Sequence, residues 1–214
     1  MNANPRAYEA LVVEDGTSTL ASELLDSVAP DQLLIAPVIS PVAAYAMLAG
    51  LWLWHDGLSE CHEIVQKSPE QLIAAALNLH SKPPKTSPIV PSAQFVEIDK
   101  TSNPQYLLDM ASTLAFWHAI MHRREGDFSN SKYWYAKVGR HAALDVLAAQ
   151  AGAIVGDMPA DNSILRIVVR GFDPNALVDL VEQVHDEPSD PRHGAAVKLQ
   201  QLEWRTLFDF CMRG

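Results

Sequence analysis

Hydrophobic residues recur at the spacing of an α-helix through most of the chain. In one segment, for example, Leu177, Leu180 and Val184 fall on the same helix face. Only two short segments, 93–98 and 164–172, have the β-like composition of strands. Two isolated strands of this length would form at most a minor hairpin. The pattern therefore predicts an all-α protein.

Five dipeptides indicate where helices begin. In each, a Ser, Asn or Asp residue directly precedes a proline that opens an apolar-periodic segment. The first side chain can accept a hydrogen bond from a free backbone N–H, and proline lacks the N–H that would otherwise stay unpaired at the first helical position. The sequence from Ser68 to Gln71 also matches a capping box. The predicted pairs are Ser40-Pro41, Ser68-Pro69, Asn103-Pro104, Asp173-Pro174 and Asp190-Pro191.

One long segment, from about residue 81 to 103, interrupts the helical pattern. It contains four prolines and no repeating apolar face, which excludes a continuous helix. We interpret it as a surface crossover within one domain of residues 1–214, because the pieces on either side would be small and have apolar helices to cover. The predicted architecture is a compact bundle of helical hairpins.

Two segments, 53–66 and 121–139, share the pattern of a helical hairpin. In each, an apolar helix ends, a glycine lies in the turn, and a polar residue opens the next helix. Gly126 is predicted to adopt a positive φ angle, which glycine tolerates best. The predicted N-cap residues are Ser59 after Gly57 in the first hairpin, and Asp127 or Ser129 in the second.

Two histidines lie four residues apart on the helix that leads into the second hairpin. A rotation of 100° per residue places His118, His122 and Glu125 in one stripe about 80° wide with the apolar Leu114. The segment 107–121 is apolar nearly all round, so this helix is predicted to be central and its histidines at least partly buried.

The first hairpin offers polar partners for this stripe. His55 lies at the end of its first helix, and Ser59, His62 and Gln66 share one face of its second helix. If the two hairpins pack side by side, four histidines converge between them. Buried polar side chains need hydrogen-bonding or metal partners.

Three interpretations of this histidine-rich region remain open. It could bind a divalent ion such as zinc or manganese through His118 and His122, with Glu125 or a histidine of the first hairpin as third ligand. It could instead be a hydrogen-bonded network that only holds the hairpins together. It could also perform metal-free acid–base catalysis, for which the candidates are His118, His122, Glu125, His55 and His62. The sequence contains no HExxH motif, so a zincin-type protease is not predicted.

A basic region surrounds the second hairpin. From residue 118 to 141 there are five basic and two acidic side chains, a net charge of +3 in a chain whose net charge is −10. Such a region could bind a small anion, although a solvated helix face paired with acidic neighbours is the ordinary alternative. The candidate ligand-binding residues are Arg123, Arg124, Asp127, Asn130, Lys132 and Trp134.

The motif HxxxHRREGDxxNSxYW, between His118 and Trp134, carries a resemblance to known sequences. Together with the downstream runs DPNALVDLVE and LQQLEWRTLFDFC, it resembles an uncharacterised helical family of bacteria and fungi, from Trp52 onward. The resemblance implies a helical fold and no particular activity. The turn at Gly126 and the helix after it also resemble one hairpin of a tetratricopeptide repeat.

Composition narrows the classes of partner. The chain has 214 residues, 48% of them hydrophobic, and a sequence pI near 5.1, which disfavours nucleic acid and anionic membrane surfaces as partners. Its most apolar run, 42–54, is shorter than the roughly 20 residues needed to span a bilayer. No secretory signal is recognisable at the amino terminus, and the two cysteines form no CxxC motif. These features predict a cytoplasmic protein of undetermined oligomeric state.

Two functions follow as expectations. The first is a small-molecule or metal site between the two hairpins, with hydrolase-like chemistry. The second is a helical interaction or structural module without catalytic activity.

Overall fold

The computed structural model describes residues 8–16, 19–28, 40–80, 104–156 and 161–213. Within these ranges the chain forms ten α-helices and no strand, which confirms the all-α prediction. The helices are α1 (Thr19–Ser27), α2 (Pro41–Trp54), α3 (Leu58–Val65), α4 (Pro69–His80), α5 (Pro104–Glu125), α6 (Phe128–Val138), α7 (Ala142–Gly156), α8 (Asn162–Leu165), α9 (Pro174–Val184) and α10 (His193–Met212).

The β-like segment 164–172 does not form a strand. Residues 164–172 form the end of α8, a series of turns and one isolated bridge between Val169 and Gly171. Segment 93–98 and the predicted crossover 81–103 lie outside the described residues. The single-domain organisation of residues 1–214 stays a prediction.

Three of the predicted helix starts are confirmed in full. Ser40 accepts a hydrogen bond from the backbone N–H of Ala43, and Asp173 accepts two at the start of α9. The capping box is also present: the Gln71 N–H donates to Ser68 Oγ, and the Ser68 N–H donates back to Gln71 Oε1 at 2.7 Å. Helix α5 begins at Pro104 as predicted, although Asn103 lies outside the described residues.

The predicted start at Asp190-Pro191 is wrong. Helix α10 begins two residues later, at His193, after Arg192. The Asp190 carboxylate accepts a hydrogen bond from the Arg192 N–H at 2.8 Å and pairs with the Arg192 guanidinium. This local Asx-type bond stabilises a turn before the helix, and Pro191 lies within that turn.

Helices α2 and α5 form the centre of the bundle. Every residue from Thr113 to Arg124 of α5 is buried, which confirms the predicted burial of His118 and His122. Helix α2 approaches α5 closely at Gly50, where an added Cβ would lie 2.8 Å from the Trp117 ring. Helix α3 packs on α5 beside α2, and α6 folds back along α5. The two predicted hairpins therefore lie side by side.

The amino-terminal segment 8–16 crosses the ends of both hairpins. Tyr8 is buried, stacks on Trp54 and lies 4.0 Å below the Arg124 guanidinium. The Val13 N–H donates to the Arg124 carbonyl oxygen at 2.8 Å. These contacts bring Asp15 to the start of α3.

Across the ranges that the structure describes, no helix combines the length and the apolar character needed to cross a membrane.

Candidate metal centre

Three histidines from the two hairpins meet at the contact between α3 and α5. The ring centroids of His62 and His118 are 4.8 Å apart, and those of His62 and His122 are 5.6 Å apart. Each ring offers a nitrogen that lies within 4.8 Å of a nitrogen of the other two. We call His62, His118 and His122 the histidine trio.

His118 is the most enclosed member of the trio. Its side chain is only 2% exposed, and neither ring nitrogen has a hydrogen-bond partner among the described residues. The ring is stacked between Trp134, at 3.8 Å, and His122, at 4.8 Å. Burial, with the neighbouring His122 and His62, lowers the pKa of His118 to about 3. The imidazole is therefore neutral and keeps a lone pair available for a metal.

His122 is oriented by two neighbours. Its Nδ1 lies 2.8 Å from Glu125 Oε2, and its Nε2 lies 3.0 Å from Asn130 Nδ2. Since a carboxylate can only accept, Nδ1 carries the proton and Nε2 the lone pair. A histidine that donates its Nδ1–H to a carboxylate is the common arrangement around protein-bound zinc.

The turn between α5 and α6 places Asn130 and Asp127 at the edge of this site. Gly126 has a φ of +88°, which confirms the predicted positive φ angle. Of the two predicted caps, Asp127 is the N-cap of α6, because its carboxylate accepts a hydrogen bond from the Asn130 N–H at 3.1 Å. That bond lowers the pKa of Asp127. His122, Glu125 and Asp127 form a second, more exposed group of possible ligands.

A small pocket opens beside the histidine trio. Its volume is about 100 Å³, and His62 and His122 form one wall of it. Asp15, Ser59 and Glu125 supply the remaining polar groups, and Leu58 and Met121 the apolar ones. The pocket connects His62 and His122 to the surface of the protein.

The start of α3 differs from the prediction. The residue before the helix is Gly57, and Ser59 lies inside the first turn. The cap comes from outside the hairpin: Asp15 accepts hydrogen bonds from the Leu58 N–H at 2.9 Å, from the Ser59 N–H and from the Ser59 hydroxyl. Glycine has no side chain to cap the helix, and Asp15 replaces it.

The structure does not bring His55 into the cluster, so the expectation of four converging histidines is wrong. His55 is the C-cap of α2, and its side chain is exposed. The chain reverses immediately after it through Asp56, which has a φ of +63°. This turn directs His55 away from α5 and brings His62, one helix later, against it.

Arg123 and Arg124 are buried and paired with acidic partners, contrary to a role as exposed anion ligands. Arg123 donates to Glu203 and to the Tyr135 hydroxyl, at 2.8 Å for the latter. Arg124 pairs with Asp56 and donates to the Ala10 carbonyl oxygen at 3.1 Å. The reason is their angular position on α5, which directs them to α10 and to the end of α2 instead of solvent.

The remaining ligand candidates divide into two groups. Lys132 is 2.7 Å from Asp179 and 3.5 Å from Glu182, so its charge is matched by α9. Asn130 and Trp134 lie against the trio, and Asp127 lies at its edge. The net charge of +3 counted from residue 118 to 141 is therefore compensated by acidic side chains from other parts of the fold.

Asp15 is the site residue that the sequence did not indicate. It lies more than 40 residues before the helix that it caps, in a segment without apolar periodicity. Such a contact depends on the tertiary fold, and no local motif reports it.

Comparison of the chain with protein-family models, curated proteins and solved structures gives no match. The resemblance carried by the motif from His118 to Trp134, and that to a tetratricopeptide hairpin, stay predictions.

Proposed function

We propose that this protein binds one divalent metal ion, best zinc, through His62, His118 and His122, and that the bound ion supports hydrolytic chemistry. The observation that carries the proposal is His118. A neutral imidazole whose two nitrogens are buried without partners among the described residues is unusual, because buried polar groups are normally satisfied. A metal ion would provide the missing partner.

The chemistry of the ligand set favours zinc. Three imidazoles suit zinc, whereas manganese prefers carboxylate and water oxygens. Zn–N bonds of about 2.0–2.1 Å place tetrahedral ligands about 3.3 Å apart. The trio's nitrogens lie within 4.8 Å of one another, so side-chain rotations that shorten these distances and move the Asn130 amide off His122 Nε2 would close the site. Glu125 acts as a positioning residue through His122 Nδ1.

The number of ligands favours a catalytic type of centre. Among the described residues, no fourth His, Cys, Asp or Glu joins the trio within the same distance. Zinc with three protein ligands keeps a position for water, and zinc lowers the pKa of that water to near neutrality. In hydrolysis, the water oxygen bonds to the carbonyl carbon of an ester or amide, the bond to the leaving group breaks, and the leaving group takes a proton from the water.

A second candidate is a structural or interaction module. The stacking of His118 between Trp134 and His122 favours it, because such stacking packs α5 against α6 without any ligand. This alternative predicts that the histidines stabilise the fold in the absence of metal and that zinc has no effect.

Thermal unfolding with and without zinc distinguishes the two candidates. We expect zinc at 100 times its dissociation constant to stabilise the wild-type protein by about 2.7 kcal/mol, and manganese to stabilise it less. His122→Ala should lose the zinc response and keep most of its folded structure. His55→Ala is the matched control, because His55 belongs to the same hairpins but lies outside the trio. No zinc response in the wild type, with a large loss of stability in His122→Ala, would favour the structural module.

A further inference from the structure

We infer that the pocket beside the histidine trio selects a small hydrogen-bond-donating group, neutral or cationic, and disfavours anions. This inference rests on the proposed metal site and specifies which ligands reach it. The evidence is the set of groups that line the pocket, the size of the pocket and the balance of charge around it.

Apart from the imidazoles of His62 and His122 and the Ser59 hydroxyl, the polar groups that line the pocket are acceptors. Asp15 and Glu125 are carboxylates, and among the described residues no lysine or arginine lines the pocket. The Ser59 hydroxyl already donates to Asp15. A ligand that brings its own N–H or O–H donors can therefore form hydrogen bonds with these carboxylates.

The start of α3 would ordinarily be an anion site, since its free N–H groups and helix dipole favour negative charge. Here the protein's own carboxylate occupies that position. Asp15 accepts hydrogen bonds from the Leu58 and Ser59 N–H groups. An external phosphate or carboxylate finds neither the donors nor the positive end of the helix free.

The basic side chains near the pocket do not reverse its negative charge, because they are already paired. Arg124 is paired with Asp56, and Lys132 with Asp179 on α9. The charge of +2 on a bound metal ion is offset by Asp15 and Glu125, which together carry −2 when ionised. The protein as a whole has a net charge of −10, so its long-range field also repels anions.

The size of the pocket limits how much of a ligand can enter. Its volume is about 100 Å³, whereas an engineered cavity that binds benzene measures about 150 Å³. Only a group of a few heavy atoms fits, and the rest of a larger substrate must remain at the surface. A primary amide, an amine or an imidazole at the end of a larger molecule has the required size and donors.

Ligand binding to the full-length protein loaded with Co²⁺, an ion with visible absorption bands, tests the inference. Imidazole can coordinate the ion through one nitrogen and donate its N–H to a carboxylate. We expect it to change the bands, and azide to bind at least tenfold more weakly. The matched control is 1-methylimidazole, which lacks the N–H donor; losing a hydrogen bond to a charged group should weaken its binding by about tenfold or more. Cobalt content measured after desalting verifies that the metal remains bound.

Charge-neutral variants of the pocket complete the test. Asp15→Asn retains a good helix cap, and Glu125→Gln retains an acceptor for His122. The double variant should bind azide about tenfold more tightly, because two nearby negative charges are removed. Equal binding of azide and imidazole, equal binding of the two imidazoles, no response to any of the three, or an azide affinity unchanged in the double variant would each overturn the inference. Absence of cobalt bands in the wild type would instead overturn the proposed metal site.

Discussion

Two polar groups are buried close together on α5, and they differ in how many of their polar atoms have hydrogen-bond partners. The Arg123 guanidinium lies against Glu203 and the Tyr135 hydroxyl, all three inaccessible to solvent or nearly so. His118, little more than one helical turn earlier, has no hydrogen-bond partner for either nitrogen among the described residues. The Arg123 charge is matched within the protein, and only its Nε lacks a partner among the described residues, whereas both nitrogens of His118 lack one.

His141 makes the contrast sharper, because it is a buried histidine whose two nitrogens are both satisfied. Its Nε2 lies 3.1 Å from the Thr113 hydroxyl, and its Nδ1 accepts a hydrogen bond from the Ala143 N–H. This fold can therefore supply partners for a buried imidazole that has only a packing role. This difference at His118 supports the proposed metal site.

The largest expected effect comes from breaking the arginine group. Glu203→Leu leaves the Arg123 charge buried without its carboxylate, and we expect a loss of about 3–5 kcal/mol in the free energy of unfolding, measured by urea denaturation. The double variant Arg123→Met/Glu203→Leu removes both charges and should recover most of this loss. A double variant as unstable as the single one would show that the ion pair itself, and not the stranded charge, stabilises the protein.

The next prediction concerns the satisfied histidine and pH. Burial lowers the pKa of His141 from 6.5 to about 4 in the folded protein. The unfolded chain therefore binds more protons between these values. The contribution of neutral His141 is complete above pH 6.5 and is lost progressively as the pH falls from 6.5 to 4, by about 3 kcal/mol in total.

The difference in free energy of unfolding between the wild type and His141→Gln isolates this contribution from other titrating groups. It should be largest above pH 6.5 and shrink steadily towards pH 4. A difference that stays constant across this range would contradict a buried, neutral His141.

Local features of the fold were predictable, because their causes are local. Ser40, Ser68 and Asp173 each cap a helix through a backbone N–H two or three residues away, so the motif contains both partners. Helical periodicity likewise placed His118 and His122 on one buried face. These confirmed predictions depend on contacts within about one helical turn.

The errors involve partners that are distant in the sequence. Arg123 could not be recognised as buried, because Glu203 lies 80 residues away on α10. The positive φ of Asp56 determined that His62, and not His55, faces α5. Asp190 is the exception, because its partner is local: its carboxylate accepts a hydrogen bond from the Arg192 N–H, two residues away, in the turn before α10. A count of charges along the sequence cannot show which charged side chains pair across the fold, as Arg123 and Glu203 do.

The smallest expected effect compares the two kinds of buried histidine directly, in metal-free protein at pH 7.5. His118→Leu removes an imidazole with no hydrogen bonds to lose and replaces it with an apolar side chain of similar volume. We expect stability to be unchanged or raised by up to about 1 kcal/mol, because a buried polar group without partners is removed. His141→Leu, in contrast, strands the Ala143 N–H and the Thr113 hydroxyl and should cost about 1–3 kcal/mol. Urea denaturation of both variants in the presence of a chelator measures the two effects. If His118→Leu proves as destabilising as His141→Leu, His118 has a structural role equal to that of His141, and the distinction between a satisfied and an unsatisfied histidine no longer supports a metal site.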